Sequence, residues 1–295
     1  MTSPPVVLSI AATDSGGAAG LAADLATFSS LGAHGACVVT AVTAQDTTGV
    51  HAVHTIPLAS IGLQIDAVLG DLPVAAVKTG MLGTAEAVHL VADRVVRLRA
   101  SPGHPSGGRP ALVVDPVLVA TSGAVLAGAG VVDAYREALL PVATVVTPNR
   151  AEAVALLGHD GHALDAGALA LALTDLCPTV VLTGGPEPGA TDAVCTDWLA
   201  HAGEVVPLTH PAVRTSNDHG TGCTFSAALA VGFARRYSEP MTTAELRTAV
   251  RRAAHFTSSR LALSRTWDLG RGRGPIGHIT SPHIVQHHLN PEVPR

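Results

Sequence analysis

Short apolar runs alternate with helix-like segments along most of this 295-residue chain. Within each run the apolar residues are consecutive, which indicates strands that are buried on both faces. Strands that alternate with helices predict a parallel sheet covered by helices on both faces. We therefore predict an α/β fold with a central, mostly parallel sheet. The predicted strands are Val6–Ala12, Ala36–Thr43, Val74–Thr79, Ala111–Asp115, Ala143–Thr147 and Thr179–Thr183, and a final antiparallel pair is Ala193–Trp198 with Glu204–Leu208.

The predicted helices lie between and after these strands. No repeat of fixed period and no sharp change of composition divides the chain, so we expect one domain over residues 1–280 and a mobile tail over residues 281–295. The stretch Ser101–Pro110 is rich in Pro, Gly and Ser, which is typical of a surface loop. The predicted helices are Leu21–Leu31, Pro57–Leu69, Ala85–Leu98, Val131–Leu140, Arg150–Leu157, Ala163–Cys177, Thr221–Arg235 and Thr243–Ala262.

The composition argues against several classes of function. The net charge is −5 and only 3% of the residues are aromatic, whereas nucleic-acid-binding domains carry basic and often aromatic surfaces. No apolar stretch reaches about 18 residues, the length that predicts a membrane span, and the N-terminus lacks the pattern of a signal peptide. The four cysteines form no CxxC pair, so neither a zinc site nor a disulfide framework is predicted. We expect a cytoplasmic protein without nucleic-acid or membrane partners.

The segment Asn217–Thr224, NDHGTGCT, leads directly into the helical pattern FSAALAVGFARR. A Gly-x-Gly turn at the start of a helix directs several backbone N–H groups toward one point, and with the helix dipole they form a site for an anion. Cys223 lies at this helix start, where the pKa of a thiol can fall from about 8.5 to between about 3.5 and 7.5. Such turns are common, so a capped helix with an inert cysteine explains the motif equally well when it is considered alone.

A second glycine-rich segment, Asp14–Asp24, follows the first predicted strand. Its sequence DSGGAAGLAAD lets the backbone approach a ligand closely. It lacks the GxGxxG spacing of a dinucleotide site, which argues against a Rossmann oxidoreductase. Asp24 falls in the first turn of the next helix, where the helix dipole stabilises a carboxylate. Considered alone, Asp24 is more simply explained as a structural residue.

Polar residues also stand at the ends of other predicted strands, among them Gln45, Lys78 and Asp115. Ligands bind beyond the carboxyl ends of the strands in an open parallel sheet, so these positions predict one shared cleft. Lys78 is the only lysine of the chain and equally suits a structural ion pair. Asn149 and Glu152 begin a helix, where an N-cap and capping-box pair is the simpler interpretation.

Taken in this order, the motifs resemble the hydroxymethylpyrimidine/phosphomethylpyrimidine kinase family of thiamine biosynthesis, which belongs to the ribokinase-like kinases. The resemblance extends from about Val6 to Ile279. It rests on the segments IAATDSGGAAGLAADLATFSSLGAHG, TAVTAQDTTGV, VKTGML, VVDPVLVATSG, VVTPNRAEA and HGTGCTFSAALA. The resemblance implies a ribokinase-like fold and a homodimer that uses ATP and Mg²⁺. It also implies that the substrates are 4-amino-5-hydroxymethyl-2-methylpyrimidine and then its monophosphate.

The resemblance also implies a role for each candidate site residue. Cys223, where most sugar kinases of this superfamily have Asp, is implied to be the base that takes the proton of the substrate hydroxymethyl group. Gly220, Thr221 and Gly222 are implied to form the anion site. The implied substrate-binding residues are Asp24, which holds the hydroxymethyl or amino group, Gln45, which binds the ring nitrogens, and Met81 and Ala12, which form part of the pocket. The implied nucleotide-binding residues are Asn149, Thr183 and Gly185, and the implied metal ligands are Asp115 and Glu152.

The chain departs from the family pattern near both expected ligands. Ala12 replaces a glycine and adds a methyl group beside the expected pyrimidine. LTGGP stands where the family has VKGGH, so Thr183 replaces a lysine near the nucleotide phosphates. We therefore expect weak affinity for ATP. Two alternatives stay open: a kinase of pyridoxal-like or other hydroxymethyl heterocycles, and a weakly catalytic or non-catalytic pyrimidine-binding paralogue.

Overall fold

One eight-stranded sheet runs through the computed structural model, which describes residues 3–100, 109–118, 130–185, 194–236 and 241–279. The predicted tail over residues 281–295 and most of the predicted loop at 101–110 lie outside these residues. The strands of the sheet are β1 (Val6–Ala11), β2 (His34–Val39), β5 (Val74–Thr79), β6 (Ala111–Val114), β7 (Val145–Val146), β8 (Thr179–Leu182), β9 (Val194–His201) and β10 (Glu204–Pro211).

The order of the strands across the sheet is β10-β9-β8-β7-β6-β5-β1-β2. The strands from β8 to β2 pair in parallel, and β9 and β10 add an antiparallel edge. The prediction of a mostly parallel sheet is thereby confirmed. In register, Leu8 of β1 lies opposite Ala36 of β2 and Val77 of β5. Because β1 lies between β2 and β5, the chain changes direction across the sheet at β1, and open α/β sheets bind ligands beyond the carboxyl ends of strands at such a point.

Helices cover both faces of the sheet. Val7 of β1 belongs to one core cluster and Leu8 to the other, so neighbouring strand residues are buried on opposite faces, as the continuous apolar runs predict. The helices are α1 (Gly20–Ser30), α2 (Leu58–Asp71), α3 (Ala85–Ala100), α4 (Val131–Ala134), α5 (Arg150–Leu157), α6 (Ala166–Ala172), α7 (Thr221–Arg236) and α8 (Thr243–Ser264). Helices α1, α7 and α8 cover one face, and α2 to α6 cover the other. In the described part of the chain, no helix has the length and apolar character needed to cross a membrane.

The prediction of a single strand over Ala36–Thr43 is wrong. After β2, a separate antiparallel hairpin forms from β3 (Ala41–Asp46) and β4 (Gly49–Thr55). Thr40 lies at the break, where its hydroxyl donates to the carbonyl oxygen of Met81. The residues of β4 are exposed or half-buried and two of them are histidines, so this strand lacks the apolar run that predicts a buried strand. The hairpin carries Gln45 away from the sheet.

Two helical segments are shorter than predicted. In Val131–Leu140 only the first turn is α-helical; Tyr135–Leu139 form a π turn, and Pro141 follows in a 3₁₀ turn because proline has no N–H to continue the helix. In Ala163–Cys177, the α-helix begins only after Asp165, whose side chain caps it, and 3₁₀ turns flank it on both sides.

Candidate active site

A cavity of about 710 Å³ lies at the carboxyl edge of the parallel strands. It is lined by the loop after β1, strand β3, the first turn of α7, the loops after β7 and β8, and the end of β10 with the segment that follows it. The structure brings twelve of the thirteen candidate residues to this cavity, and Asp24 is the exception. The twelve are Ala12, Gln45, Met81, Asp115, Asn149, Glu152, Thr183, Gly185, Gly220, Thr221, Gly222 and Cys223.

The Gly-Thr-Gly turn leads into the start of α7 and lines the cavity. Gly220 has a φ of +92°, and a Cβ there would lie 1.8 Å from the carbonyl oxygen of Ala18, so only glycine fits. The carbonyl oxygen of Gly220 accepts from the N–H and the hydroxyl of Thr224, at 2.9 and 2.8 Å. The backbone N–H groups of Gly220, Gly222 and Cys223 find no acceptor within the described part of the chain. These three donors can therefore bind an oxyanion.

Cys223 lies on the cavity wall, but its thiol is not the acidic one that its helix position predicts. Burial raises the pKa of Cys223 to about 12, and the nearby carboxylates of Asp115 and Asp24 act in the same direction. The charge of Lys78 and a hydrogen bond from the N–H of Gly20 act against this rise and do not cancel it. The lowering of the pKa that a helix start allows does not occur here, because desolvation disfavours a thiolate more than the helix start favours it.

Asp24 is the one candidate residue that the structure keeps away from the cavity. Its side chain is fully buried, with both carboxylate oxygens 2.9 Å from Nζ of Lys78 and one of them 2.5 Å from the hydroxyl of Ser9. The implied substrate-binding role of Asp24 is thereby corrected to that of a buried counter-ion. Although burial disfavours the ammonium, the Asp24 carboxylate keeps the pKa of Lys78 above its usual value. Nζ of Lys78 also lies 3.8 Å from Asp115, so its charge is close beneath the cavity floor.

Asp115 and Glu152 present two buried carboxyl groups to the cavity. Burial and the neighbouring Asp115 raise the pKa of Glu152 to about 8, and the hydroxyl of Ser226 donates to Asp115 at 2.9 Å. Oxygen donors whose charges repel each other fit Mg²⁺, which commonly binds one or two carboxylates together with substrate phosphates. Within the described ranges no group of three or more His, Cys, Asp or Glu side chains is arranged to hold a metal ion. A bound Mg²⁺ would therefore depend on these two carboxylates and the phosphates.

The resemblance implies that a nucleotide binds at the end of the cavity lined by Asn149, Glu152 and Thr183, here named the nucleotide end, and that the heterocycle binds at the other, the substrate end. Helix capping and backbone hydrogen bonds build most of the nucleotide end. Asn149 and Glu152 form the capping box of α5, with each side chain 3.0 Å from the backbone nitrogen of the other, as the simpler interpretation predicts. Thr183 bridges to Asn149, and its N–H donates to the carbonyl oxygen of Pro148 at 2.9 Å. Thr183 lines the cavity and brings no charge to it. Both capping and cavity-lining roles are thus combined in Asn149 and Glu152.

Sequence reasoning missed several cavity residues at this end. Asp197 is buried; one carboxylate oxygen accepts from the N–H of Gly184 at 2.9 Å and the other lies 3.2 Å from Nε2 of His210. Asp197 lies on β9 and His210 lies on β10, and the pairing of these two strands was the available signal for their contact. Arg214, on the segment after β10, also lines the cavity.

Two residues of the quoted motifs were given no role and lie at the substrate end. Asp14 accepts from the N–H groups of the glycine-rich loop, and its carboxylate lies 3.2 Å from Nε2 of His219. That same ring nitrogen lies 2.9 Å from the side-chain amide of Gln45. An aspartate directly before a glycine-rich turn was the available signal for Asp14.

Three comparisons with known proteins all find similarity to kinases of small molecules. A family model described as phosphomethylpyrimidine kinase matches residues 14–277. The hydroxymethylpyrimidine/phosphomethylpyrimidine kinase of Synechococcus elongatus is 40% identical over 277 residues, which are 93% of this chain and 97% of that protein. A thiamine biosynthesis bifunctional protein of Geobacter sulfurreducens is 39% identical over 283 residues, covering 95% of this chain and 53% of that longer protein. The solved structure of Staphylococcus aureus pyridoxal kinase with AMP-PCP and pyridoxal has a TM-score of 0.76 and 30% identity, with 94% of each chain covered.

Proposed function

This chain belongs to the phosphomethylpyrimidine kinase family, and on that premise we propose that its cavity binds 4-amino-5-hydroxymethyl-2-methylpyrimidine, or its monophosphate, at one end and ATP at the other. It is a ribokinase-like phosphotransferase of thiamine biosynthesis. The observation that carries the proposal is the set of three N–H groups that find no acceptor in the described part of the chain. They line the same cavity as Gln45 and Thr183, so they can stabilise a phosphoryl group that passes from a nucleotide to a heterocycle bound there.

The proposed reaction forms a bond between the substrate hydroxyl oxygen and the γ-phosphorus and breaks the bond between that phosphorus and the β–γ bridging oxygen, which leaves with ADP. The hydroxyl proton goes to Sγ of Cys223 in its thiolate form, which becomes the thiol. Such transfers depend mainly on alignment and on stabilisation of the phosphoryl charge, which the N–H groups of Gly220 and Gly222 supply. When bound by Asp115 and Glu152, Mg²⁺ would neutralise charge on the phosphates.

The heterocycle would lie against Ala12, Met81 and Gln45, which line the cavity together. A side-chain amide has both donors and an acceptor, so Gln45 can bind the nitrogen-containing edge of an aminopyrimidine. Asn149, Thr183 and Gly185 would contact the nucleotide at the opposite end. A homodimer and a cytoplasmic location stay predictions.

A pyridoxal-like substrate is the second candidate. It is favoured by one observation, the likeness of this fold to pyridoxal kinase structures at 30% identity. A weakly catalytic pyrimidine-binding paralogue is the third, because Thr183 brings no charge to the nucleotide end.

One assay separates these candidates. Purified protein is given Mg-ATP and, in turn, the hydroxymethylpyrimidine, its monophosphate and pyridoxal, and ADP release is measured. We expect kcat/KM to be highest for the two pyrimidines. Turnover of pyridoxal alone would favour the second candidate, and binding of pyrimidine without ADP release would favour the third.

A further inference from the structure

Asp14, Gln45 and His219 form a hydrogen-bonded group at the substrate end of the cavity. Nε2 of His219 lies 3.2 Å from Oδ2 of Asp14 and 2.9 Å from the terminal amide nitrogen of Gln45. All three residues line the cavity, and Asp14 and His219 are only 7% and 9% exposed. One ring nitrogen is therefore held between a carboxylate and an amide.

Asp14 determines whether this ring nitrogen is a donor or an acceptor. Its carboxylate accepts from the N–H groups of Gly16, Ala18 and Ala19 at 2.8, 3.1 and 2.9 Å, and these bonds favour the ionised form. Burial alone would raise the pKa of Asp14, but the hydrogen bonds hold it below its usual value. A bare Nε2 of His219 would direct its lone pair at this carboxylate, whereas a protonated Nε2 donates to it. The hydrogen therefore belongs on Nε2.

That hydrogen also sets the orientation of the Gln45 amide. His219 Nε2 has a single hydrogen, which donates to Asp14 and also faces the Gln45 amide atom 2.9 Å away; an amide oxygen accepts a share of this hydrogen, whereas an NH₂ group would oppose it. The oxygen and nitrogen of a side-chain amide exchange places without moving its other atoms. The amide oxygen of Gln45 consequently turns toward His219, and its NH₂ group turns toward the cavity. The backbone of Gln45 is fixed separately, because its N–H and its carbonyl oxygen both bond the hydroxyl of Ser15, at 2.8 and 2.7 Å.

We propose that His219, itself held by Asp14, is a positioning residue that makes Gln45 a hydrogen-bond donor toward the substrate ring. The proposal rests on the proposed function and adds a rule of specificity to it. The cavity favours a ring whose nitrogen at this place is bare, as N3 is in the 4-aminopyrimidine. It disfavours the 4-oxo counterpart, in which N3 carries a hydrogen, because two donors would then face each other.

The test measures kcat and KM for the 4-amino and the 4-oxo pyrimidine in wild type, His219→Leu and His219→Gln. His219→Leu removes the donor, so the Gln45 amide can turn either way. We expect KM for the 4-amino substrate to rise at least about tenfold, with a smaller change in kcat. The preference for the 4-amino over the 4-oxo substrate should fall by a similar factor. Gln restores an N–H donor near the position of Nε2, so we expect it to recover the preference. KM for ATP should change less than about twofold.

A second variant keeps the proposal testable if His219→Leu does not fold. Gln45→Glu offers only acceptor oxygens, so it should bond His219 as before and reverse the preference toward the 4-oxo ring. An unchanged preference in His219→Leu, or in Gln45→Glu, overturns the proposal. Calorimetry of the wild-type protein separates this outcome from failure of the proposed function: if neither pyrimidine binds, the assignment of the pocket fails, whereas discrimination that survives in the variants contradicts only the role of His219.

Discussion

The two ends of the cavity are built in different ways. At the substrate end, side chains far apart in the sequence bond one another, as Asp14, Gln45 and His219 do. At the nucleotide end, Asn149 and Glu152 form a local capping box three residues apart, and Thr183 bonds backbone groups of the neighbouring strand end. Side-chain pairs and side-chain caps depend on each member, whereas the backbone bond of Thr183 to Pro148 does not require its side chain. Substitutions at the substrate end and beneath it should therefore impair the protein, and a substitution at the nucleotide end can improve it.

The largest effect is expected at Cys223, where the two ends meet. Cys223→Ala should reduce turnover by roughly 10²–10⁴-fold, the range for loss of a general base, and should leave the free energy of unfolding nearly unchanged. Steady-state kinetics with Mg-ATP and the pyrimidine, together with urea unfolding, measure both quantities. Near-normal turnover of this variant would remove Cys223 from the mechanism.

The raised pKa of Cys223 should make the turnover of the wild-type protein depend on pH. Only the thiolate accepts a proton, and with a pKa of about 12 its fraction grows as pH rises through the neutral range, so turnover of the wild-type protein should increase from pH 6.5 to 9. Cys223→Asp is the matched variant, since a carboxyl group ionises at lower pH, with an unperturbed pKa of about 3.9. Any activity it retains should depend less on pH in this range. Equal slopes for the two proteins would show that the proton acceptor is another group.

The buried pair of Asp24 and Lys78, beneath Asp115 of the cavity, should give the largest change in stability. Lys78→Met leaves the Asp24 carboxylate buried without its cation, which typically costs about 3–5 kcal/mol. Urea unfolding measures this loss. The double variant Lys78→Met with Asp24→Leu removes both charges and should be more stable than the single variant. If the double variant is the less stable of the two, Asp24 has a role other than that of counter-ion.

Asp24 and Lys78 also show where prediction from sequence ends. The sequence predicts Asp24 in the first turn of a helix, but α1 begins at Gly20 and Asp24 lies past its first turn. Nothing local indicates that a lysine 54 residues later fills the space beside this carboxylate. Cys223 shows the same limit, because its place at a helix start is visible in the sequence and its burial is not. Both errors concern the surroundings of a side chain, which depend on contacts between distant segments.

Most strands of the sheet were predictable for a different reason. β1, β5, β6 and β8 are short, continuously apolar segments, and such runs identify strands that are buried on both faces. The hairpin strand β4 has mostly exposed residues and therefore no such run. The twelve cavity residues could be named because the loops after parallel strands meet at one edge and because the motifs resemble a known family. The bonds among Asp14, Gln45 and His219 could not, since spacing does not determine them.

A smaller and favourable effect is expected at Thr183. Thr183→Lys places a cation beside the nucleotide phosphates, where a partly desolvated, charge-assisted contact contributes about 1.5–3 kcal/mol, so ATP should bind about tenfold tighter or more. Calorimetry at low and high salt measures the gain, which should shrink as salt rises. Thr183→Met lengthens the side chain without charge and serves as the control. If the lysine variant binds ATP no more tightly at low salt, another residue already supplies the charge or Thr183 does not face the phosphates.

The smallest effect is expected at His210, where the nucleotide end has its own long-range pair. Asp197 raises the pKa of His210 above its usual value, so the charged pair stabilises the fold fully below the unfolded pKa of about 6.5 and loses that contribution as pH rises through the folded pKa. Since His210 remains partly exposed, we expect less than about 1 kcal/mol. His210→Gln keeps a neutral donor for Asp197, so the advantage of wild type over this variant should be larger at pH 5.5 than at pH 8.5, as measured by urea unfolding. An advantage that does not change with pH would mean that the contact between His210 and Asp197 is not an ion pair.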